Sequence, residues 1–186
     1  MNLTQTVTQV LAILVLASDI ALVASLLLFL FVARGKLSKL VKFPVFSSIA
    51  RNARILAFVV ALVSMLGSLF YSDIAGFEPC KLCWYQRIVM YPMVLLLGLA
   101  IAKTDKKNII DYCLGLSGIG AIIATYHYWL QRGGNEFIPC STVGYSVSCA
   151  KTFDMSYGYI TIPFMALTAF LLIFSAMLLS RSYQRN

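Results

Sequence analysis

The chain has 186 residues, 60% of them hydrophobic and 12% charged, with a formal net charge of +8. This composition excludes a disordered or ordinary water-soluble chain, because long apolar runs are what a hydrocarbon core about 30 Å thick demands. The positive charge does not point to nucleic acid, since it is gathered into a few connections and not spread along one face.

Five apolar segments follow one another, at residues 7–32, 53–75, 84–102, 109–130 and 159–180. Each has about 19 residues or more, which is enough to span as a helix. The first reads as an anchor helix and not as a cleaved leader. Residues 1–6 carry no basic group, the apolar run is too long, and the basic cluster at Arg34 follows it. Asp19 lies near its middle, where an ionised carboxylate costs about 2.5–3.5 kcal/mol. An interhelical hydrogen bond, with Ser18 and Ser25 as neighbours, is favoured there over a proton relay.

Arg34, Lys36, Lys39, Lys42, Arg51 and Arg54 crowd the first connection, Lys103, Lys106 and Lys107 the third, and Arg181 and Arg185 the tail. The second and fourth connections carry Lys81, Arg87, Arg132 and Lys151 against Asp73, Glu78, Glu136 and Asp154. Basic connections stay in the cytoplasm, so the N-terminus and both cysteine-bearing loops are expected outside and the C-terminus inside. Outside is also where disulfides persist. The linker 34–54, which contains Pro44, reads as a solvated charge run that sets topology, in preference to an interfacial helix around 41–46.

The second connection ends in Glu78-Pro79-Cys80-Lys81-Leu82-Cys83-Trp84-Tyr85-Gln86-Arg87. Pro79 is expected at the first helical position, where its missing N–H costs nothing. Cys80, Cys83 and Arg87 then share one helix face. A positive helix terminus together with Lys81 and Arg87 favours thiolate over thiol, and thiolates are what exchange disulfides. A guanidinium at the apolar boundary either snorkels to the surface or holds something polar. Beside Cys83, Trp84 and Tyr91, a flat ring with carbonyl oxygens could accept its hydrogen bonds, and a quinone dissolved in the bilayer is such a ligand.

Cys113 reads as a small buried hydrophobe, and Gly115, Gly118, Gly120 and Ala124 as a small face for close helix packing. His127, within Tyr126-His127-Tyr128-Trp129, is either part of an interfacial anchor belt or a quinone-contacting or proton-handling group. Cys140 and Cys149 follow with eight residues between them, Gly144 among these, so a bridge closes easily. That bridge is either a structural staple or a partner for the first pair, provided the loop 131–156 can carry Cys140 or Cys149 over Cys80. A four-thiolate zinc site lacks the usual spacing in its second half, so no metal is expected. Pro163, in Ile160-Thr161-Ile162-Pro163-Phe164, opens the last helix.

Cys80-Lys81-Leu82-Cys83-Trp84-Tyr85-Gln86-Arg87 after a membrane helix, Tyr126-His127-Tyr128, the paired loop cysteines and Ile160-Thr161-Ile162-Pro163-Phe164 together resemble the DsbB family of disulfide bond formation proteins. The compact DsbB-like or BdbC-like branch is the most similar, over roughly residues 56–172. The resemblance implies an all-α integral membrane four-helix bundle at 55–186, with one additional N-terminal transmembrane helix at 1–33 and the basic linker at 34–54, five spanning helices in all. It implies a protein-disulfide:quinone oxidoreductase of the bacterial inner membrane, oxidising a thioredoxin-like (DsbA-like) protein outside the cytoplasm and passing electrons to ubiquinone or menaquinone. Carried over by motif, Cys80 and Cys83 are the quinone-proximal pair and Cys83 is the thiolate touching the ring, with Arg87 as its electrostatic support. Trp84 and His127 join the quinone site, Cys140 forms the mixed disulfide with the partner, and Cys149 shuttles to Cys80. The loop between Cys140 and Cys149 is shorter than in familiar members, which leaves the order of attack open. Two rival readings are a vitamin K epoxide reductase-like enzyme and a non-catalytic membrane scaffold with two structural disulfides.

Overall fold

The computed structural model describes residues 3–32, 39, 42–103, 108–137, 140, 147–153 and 155–185. Arg34, Lys36, Lys106, Lys107, Asp154 and Gly144 lie outside the described residues. The helices are α1 (Leu3–Leu27), prolonged by a π-helical turn Leu28–Val32; α2 (Pro44–Arg51); α3 (Ala53–Leu69), prolonged by a π-helical turn Phe70–Ile74; α4 (Lys81–Ala102); α5 (Asn108–Gln131); and α6 (Ile162–Arg185). Among the described residues there is no β-strand, only an isolated bridge between Ser156 and Ile160. All but α2 are long and apolar enough to cross a bilayer. Helices satisfy every backbone group within themselves, which is what a hydrocarbon environment requires. The protein is an all-α, multi-pass membrane bundle.

The centre is a four-helix bundle in which α3, α4, α5 and α6 each pack on the next and α6 returns to α3. On α5 the buried side chains Cys113, Ser117, Gly120, Ala124 and His127 follow steps of three and four residues, tracing one stripe. A Cβ at Gly120 would overlap the ring of Phe170, so this glycine is what lets α5 and α6 approach. The small face is shorter than expected. Gly115 is exposed and meets nothing within 4 Å, and a Cβ at Gly118 would make only ordinary contact with Phe174 at 3.8 Å. On α3, Ala53, Ala57 and Ala61 form a second stripe of small buried residues.

Three local expectations are corrected. Residues 44–51 are a helix, α2, and not a solvated run. Phe46, Ile49 and Ala50 give it an apolar stripe that packs with Leu179 of α6 and Phe29. The start of the fifth expected segment moves from 159 to Ile162, because Tyr157 (φ 51°) and Gly158 (φ 75°) make a tight turn closed by Ser156 N–H to Ile160 O at 2.8 Å. Pro79 precedes the helix cap and does not occupy the first turn, and Cys80 is the cap itself.

Asp19 does make an interhelical hydrogen bond, with partners other than its own-helix neighbours. Its Oδ1 accepts from Thr168 Oγ1 of α6 at 2.8 Å and its Oδ2 from the Tyr159 hydroxyl at 3.4 Å. Ser18 and Ser25 instead donate back to Leu14 and Leu22 carbonyls of α1. α1 is thus fixed along α6 by a polar clamp, on the outside of the four-helix core.

Candidate active site

The start of α4 is where the chemistry gathers. The first backbone N–H groups of a helix have no partner within it, and Cys80 supplies one: its backbone is extended (φ −73°, ψ 173°) and its Sγ accepts the Cys83 N–H at 3.4 Å. The two sulfurs lie 3.1 Å apart and share a hydrogen bond. On the other side of Cys80 stands His127, buried at 1% exposure, with Nε2 3.5 Å from Sγ. The side-chain amide nitrogen of Gln86 lies 3.0 Å from His127 Nδ1. An amide N–H can only donate, so Nδ1 accepts and the ring proton is assigned to Nε2, facing the sulfur. Contact with the Cys83 thiol does most to pull the Cys80 thiol down from the usual 9.0 to about 4; burial opposes this, and the His127 hydrogen bond reinforces it.

Cys140 and Cys149 form a disulfide, and both are buried. They belong to one apolar cluster with Cys80, Leu82 and Leu130, against which Cys83, Ile123 and Tyr126 pack. The two cysteine pairs therefore meet, through residues far apart in sequence. The connection that carries the bridge is tied over the end of the bundle. Phe153 stacks on Phe77 at 4.9 Å, Gln131 Nε2 donates to Lys151 O at 3.1 Å, and Phe137 N–H donates to the Tyr126 hydroxyl at 2.9 Å.

Arg87 does not snorkel. Its Nε donates to Ser68 Oγ and its Nη2 to Ser68 O, both at 2.9 Å, while its guanidinium lies over the Trp84 ring at 5.2 Å. It also lines a cavity of about 330 Å³ between α3, α4 and α6, together with Cys80, Cys83, Tyr91 and His127. The Tyr91 hydroxyl is buried and, among the described residues, has no hydrogen-bond partner. Cys83, Arg87 and Tyr91 follow at four-residue steps on α4, so sulfur, guanidinium and phenol form one stripe along the cavity.

The sequence-derived site residues divide accordingly. Cys80, Cys83, Cys140, Cys149 and His127 come together at the cluster, and Cys83 and Arg87 at the cavity. Trp84 is off the cavity, half-exposed, and touches the site only through Arg87. His127 contacts Cys80 and is no surface anchor. In this dithiol state the donors converge on Cys80, whereas the motif resemblance puts the thiolate on Cys83. Gln86 and Ser68 escaped sequence reasoning. Gln86 had a signal, a polar residue in register with Leu82, Val89 and Met93 on the buried stripe of α4; Ser68 had none. The donor atoms of Cys80, Cys83 and His127 lie within 4.8 Å of one another, near enough to grip a soft metal ion. With Cys140 and Cys149 bridged, four thiolates are not on offer in this state.

A membrane bundle that brings two cysteine pairs into contact, one of them activated at a helix start, is defined by this site as a protein of the thiol–disulfide exchange class. The family model described as "Disulfide bond formation protein DsbB" matches residues 50–180, and the chain belongs to that family. It is 47% identical over 119 residues to "Disulfide bond formation protein C" of Bacillus subtilis (strain 168), covering 63% of this chain and 83% of that protein. It is 43% identical over 125 residues to a "Probable disulfide formation protein" of Oceanobacillus iheyensis, covering 67% and 86%. A further relative is the "SPbeta prophage-derived disulfide bond formation protein B" of Bacillus subtilis, 43% identical over 120 residues, with 64% and 79% covered. No solved structure matches the chain.

Proposed function

We propose that this protein reoxidises a thioredoxin-like protein outside the cytoplasm and passes the electrons to a membrane quinone, supporting disulfide bond formation. The observation that carries the reading is the single buried cluster joining Cys140 and Cys149 to Cys80 and Cys83, beside a cavity holding Arg87. The basic first connection and tail favour an orientation with both cysteine loops outside and the C-terminus inside.

The exchange runs as follows. A partner thiolate attacks Cys140, forming a mixed disulfide and releasing Cys149 as thiolate; the partner's second thiol then displaces Cys140 and the partner leaves oxidised. Cys149 attacks Cys80 of a Cys80–Cys83 disulfide and frees Cys83. Cys140 closes on Cys149 again, leaving Cys80 and Cys83 as a dithiol, the arrangement of sulfurs described above. While Cys80 is tied to Cys149, Cys83 is the free thiolate and Arg87 its counter-charge, which reconciles the donors on Cys80 in the dithiol with a reacting Cys83. His127 holds Cys80 as an anion when Cys80 is the leaving or attacking sulfur. Both sulfurs of the second pair are buried, so the connection tied down by Phe153 and Gln131 must lift for the partner to reach Cys140.

The cavity suits a quinone ring in its donor set: a guanidinium and an otherwise unpartnered phenol for the carbonyl oxygens, with Cys83 beside them. Arg87 and Tyr91 would hold such a ring beside Cys83, and it would supply the acceptor for the two electrons and two protons given up as Cys80 and Cys83 close to a disulfide. Ser68 keeps Arg87 at the cavity wall, and the apolar sides of α3 and α6 exclude water.

Purified protein in lipid, given a reduced thioredoxin-like substrate, is expected to reduce added ubiquinone or menaquinone. Cys83→Ser abolishes this, and Arg87→Ala lowers kcat by about 10²–10³-fold, as removal of one charge-stabilising donor does. Unchanged turnover in both variants contradicts the reading.

A further inference from the structure

α1 lies outside the stretch matched by the family, residues 50–180, yet it walls the cavity that holds Cys83 and Arg87. Leu11, Leu14, Val15 and Ser18 close its side between α3 and α6. The helix is pinned at two places. Asp19 accepts from Thr168 of α6 at 2.8 Å, and Thr8, nearly fully buried, accepts from the Tyr71 hydroxyl at 3.1 Å. Between α1 and α3 runs a shallow, largely open groove lined by Val7, Leu66, Phe70, Asp73 and Ile74. It shares Leu11, Val63 and Gly67 with the cavity.

We propose that the groove between α1 and α3 carries the polyprenyl tail of the lipid quinone whose ring the first cavity holds, with Leu11 and Gly67 as the threshold between them. The inference rests on the quinone reading above. Its occupant follows from the chemistry of the two adjoining spaces. The first places a guanidinium and a phenol at the ring, whereas the second offers an almost wholly apolar wall that continues to the half-exposed Leu66 and the exposed Ile74. An amphiphile with a polar ring and a long hydrocarbon tail fits that sequence of environments, and a ring roofed by α1 leaves its tail a way out only along the helix seams. Each seam has one polar tie, Asp19 to Thr168 on α6 and Thr8 to Tyr71 at the end of α3, but along the rest of its length α1 packs mainly on α6 and leaves the α3 side more open. At the α3 seam, Gly67 has no side chain, and a Cβ there would stand 3.4 Å from Leu11 Cδ1, so Leu11 lies against the glycine and must swing aside for a tail to pass, which a larger residue at 67 would block.

The test uses full-length protein in lipid nanodiscs and a polyprenyl benzoquinone with a diazirine on its tail, the adducts being mapped by mass spectrometry. Adducts are expected at Val7, Leu66, Phe70 or Ile74, competed away by excess unlabelled long-tailed quinone. In binding titrations, Gly67→Leu and Val7→Trp are expected to weaken the long-tailed quinone about tenfold relative to a tail-less quinone with the same ring, because a stretch of tail loses its burial. Val7 lines the groove alone, so its variant serves even if Gly67→Leu disturbs helix packing. Val10→Trp, on the exposed face of α1, leaves the ratio as it is. Adducts elsewhere, groove adducts that quinone does not compete away (as an ordinary acyl chain would give), or equal weakening of both quinones in both variants would each overturn the port. If neither quinone binds the unmodified protein, the quinone reading itself fails.

Discussion

The two ends of the bundle each bury a cysteine, and they treat it differently. Cys80, at 3% exposure, has the Cys83 N–H, the Cys83 thiol and His127 within reach of its sulfur. Cys113, at 0%, sits in the apolar cluster with Ile109, Ile110 and Met177, and among the described residues no donor reaches its sulfur. Burial is therefore common to both and cannot be what makes a thiol reactive. The difference is made by donors that stabilise the anion, and these are assembled by a helix start and by a histidine held in register on the next helix.

The sharpest way to break this contrast is to remove each sulfur in turn. Cys80→Ala is expected to abolish quinone-linked oxidation of a thioredoxin-like substrate, and Cys113→Ala to leave it unchanged, as measured by steady-state turnover. Equal losses would mean that the donors around Cys80 confer nothing. A smaller effect isolates one donor. The contact with Cys83 holds the Cys80 thiol well below the usual thiol range, so its thiolate persists to lower pH than a free thiol's and is lost only as the pH falls through that depressed range. Thiolate absorbance followed against pH in a Cys113→Ala background should therefore show a midpoint in that region. His127→Ala should raise the midpoint toward the ordinary thiol range. A midpoint already near the usual value, or one that His127→Ala leaves in place, would show that the histidine only fills space.

Much of this end was legible in the sequence because it follows local rules. Cys80, Cys83 and Arg87 share a face by helical spacing alone, and five spanning helices follow from apolar length. Asp19 had to find a partner by the cost of its charge, although the partner, Thr168, is 149 residues away and carried no local mark. The sequence left His127 between an aromatic belt, suggested by the rings beside it, and a role in the site. Its register with Gly120 and Ala124 on the buried stripe was the better guide. Ser68 was beyond reach, since its hydroxyl and backbone carbonyl meet Arg87 only because of where two helices cross. The contact of Cys140 and Cys149 with Cys80 was foreseen only as one of two uses of the second pair, because loop closure over a bundle end leaves no periodic trace that would decide between them.

The most direct measurement is a single anaerobic turnover. Protein holding Cys80 and Cys83 as thiols and Cys140–Cys149 as a disulfide is mixed with one equivalent of quinone, and the pairings are then mapped by differential alkylation and mass spectrometry. The account predicts one quinol formed per protein, a new Cys80–Cys83 disulfide and an intact Cys140–Cys149 bridge. Quinone left oxidised while Cys80 and Cys83 remain thiols would contradict it.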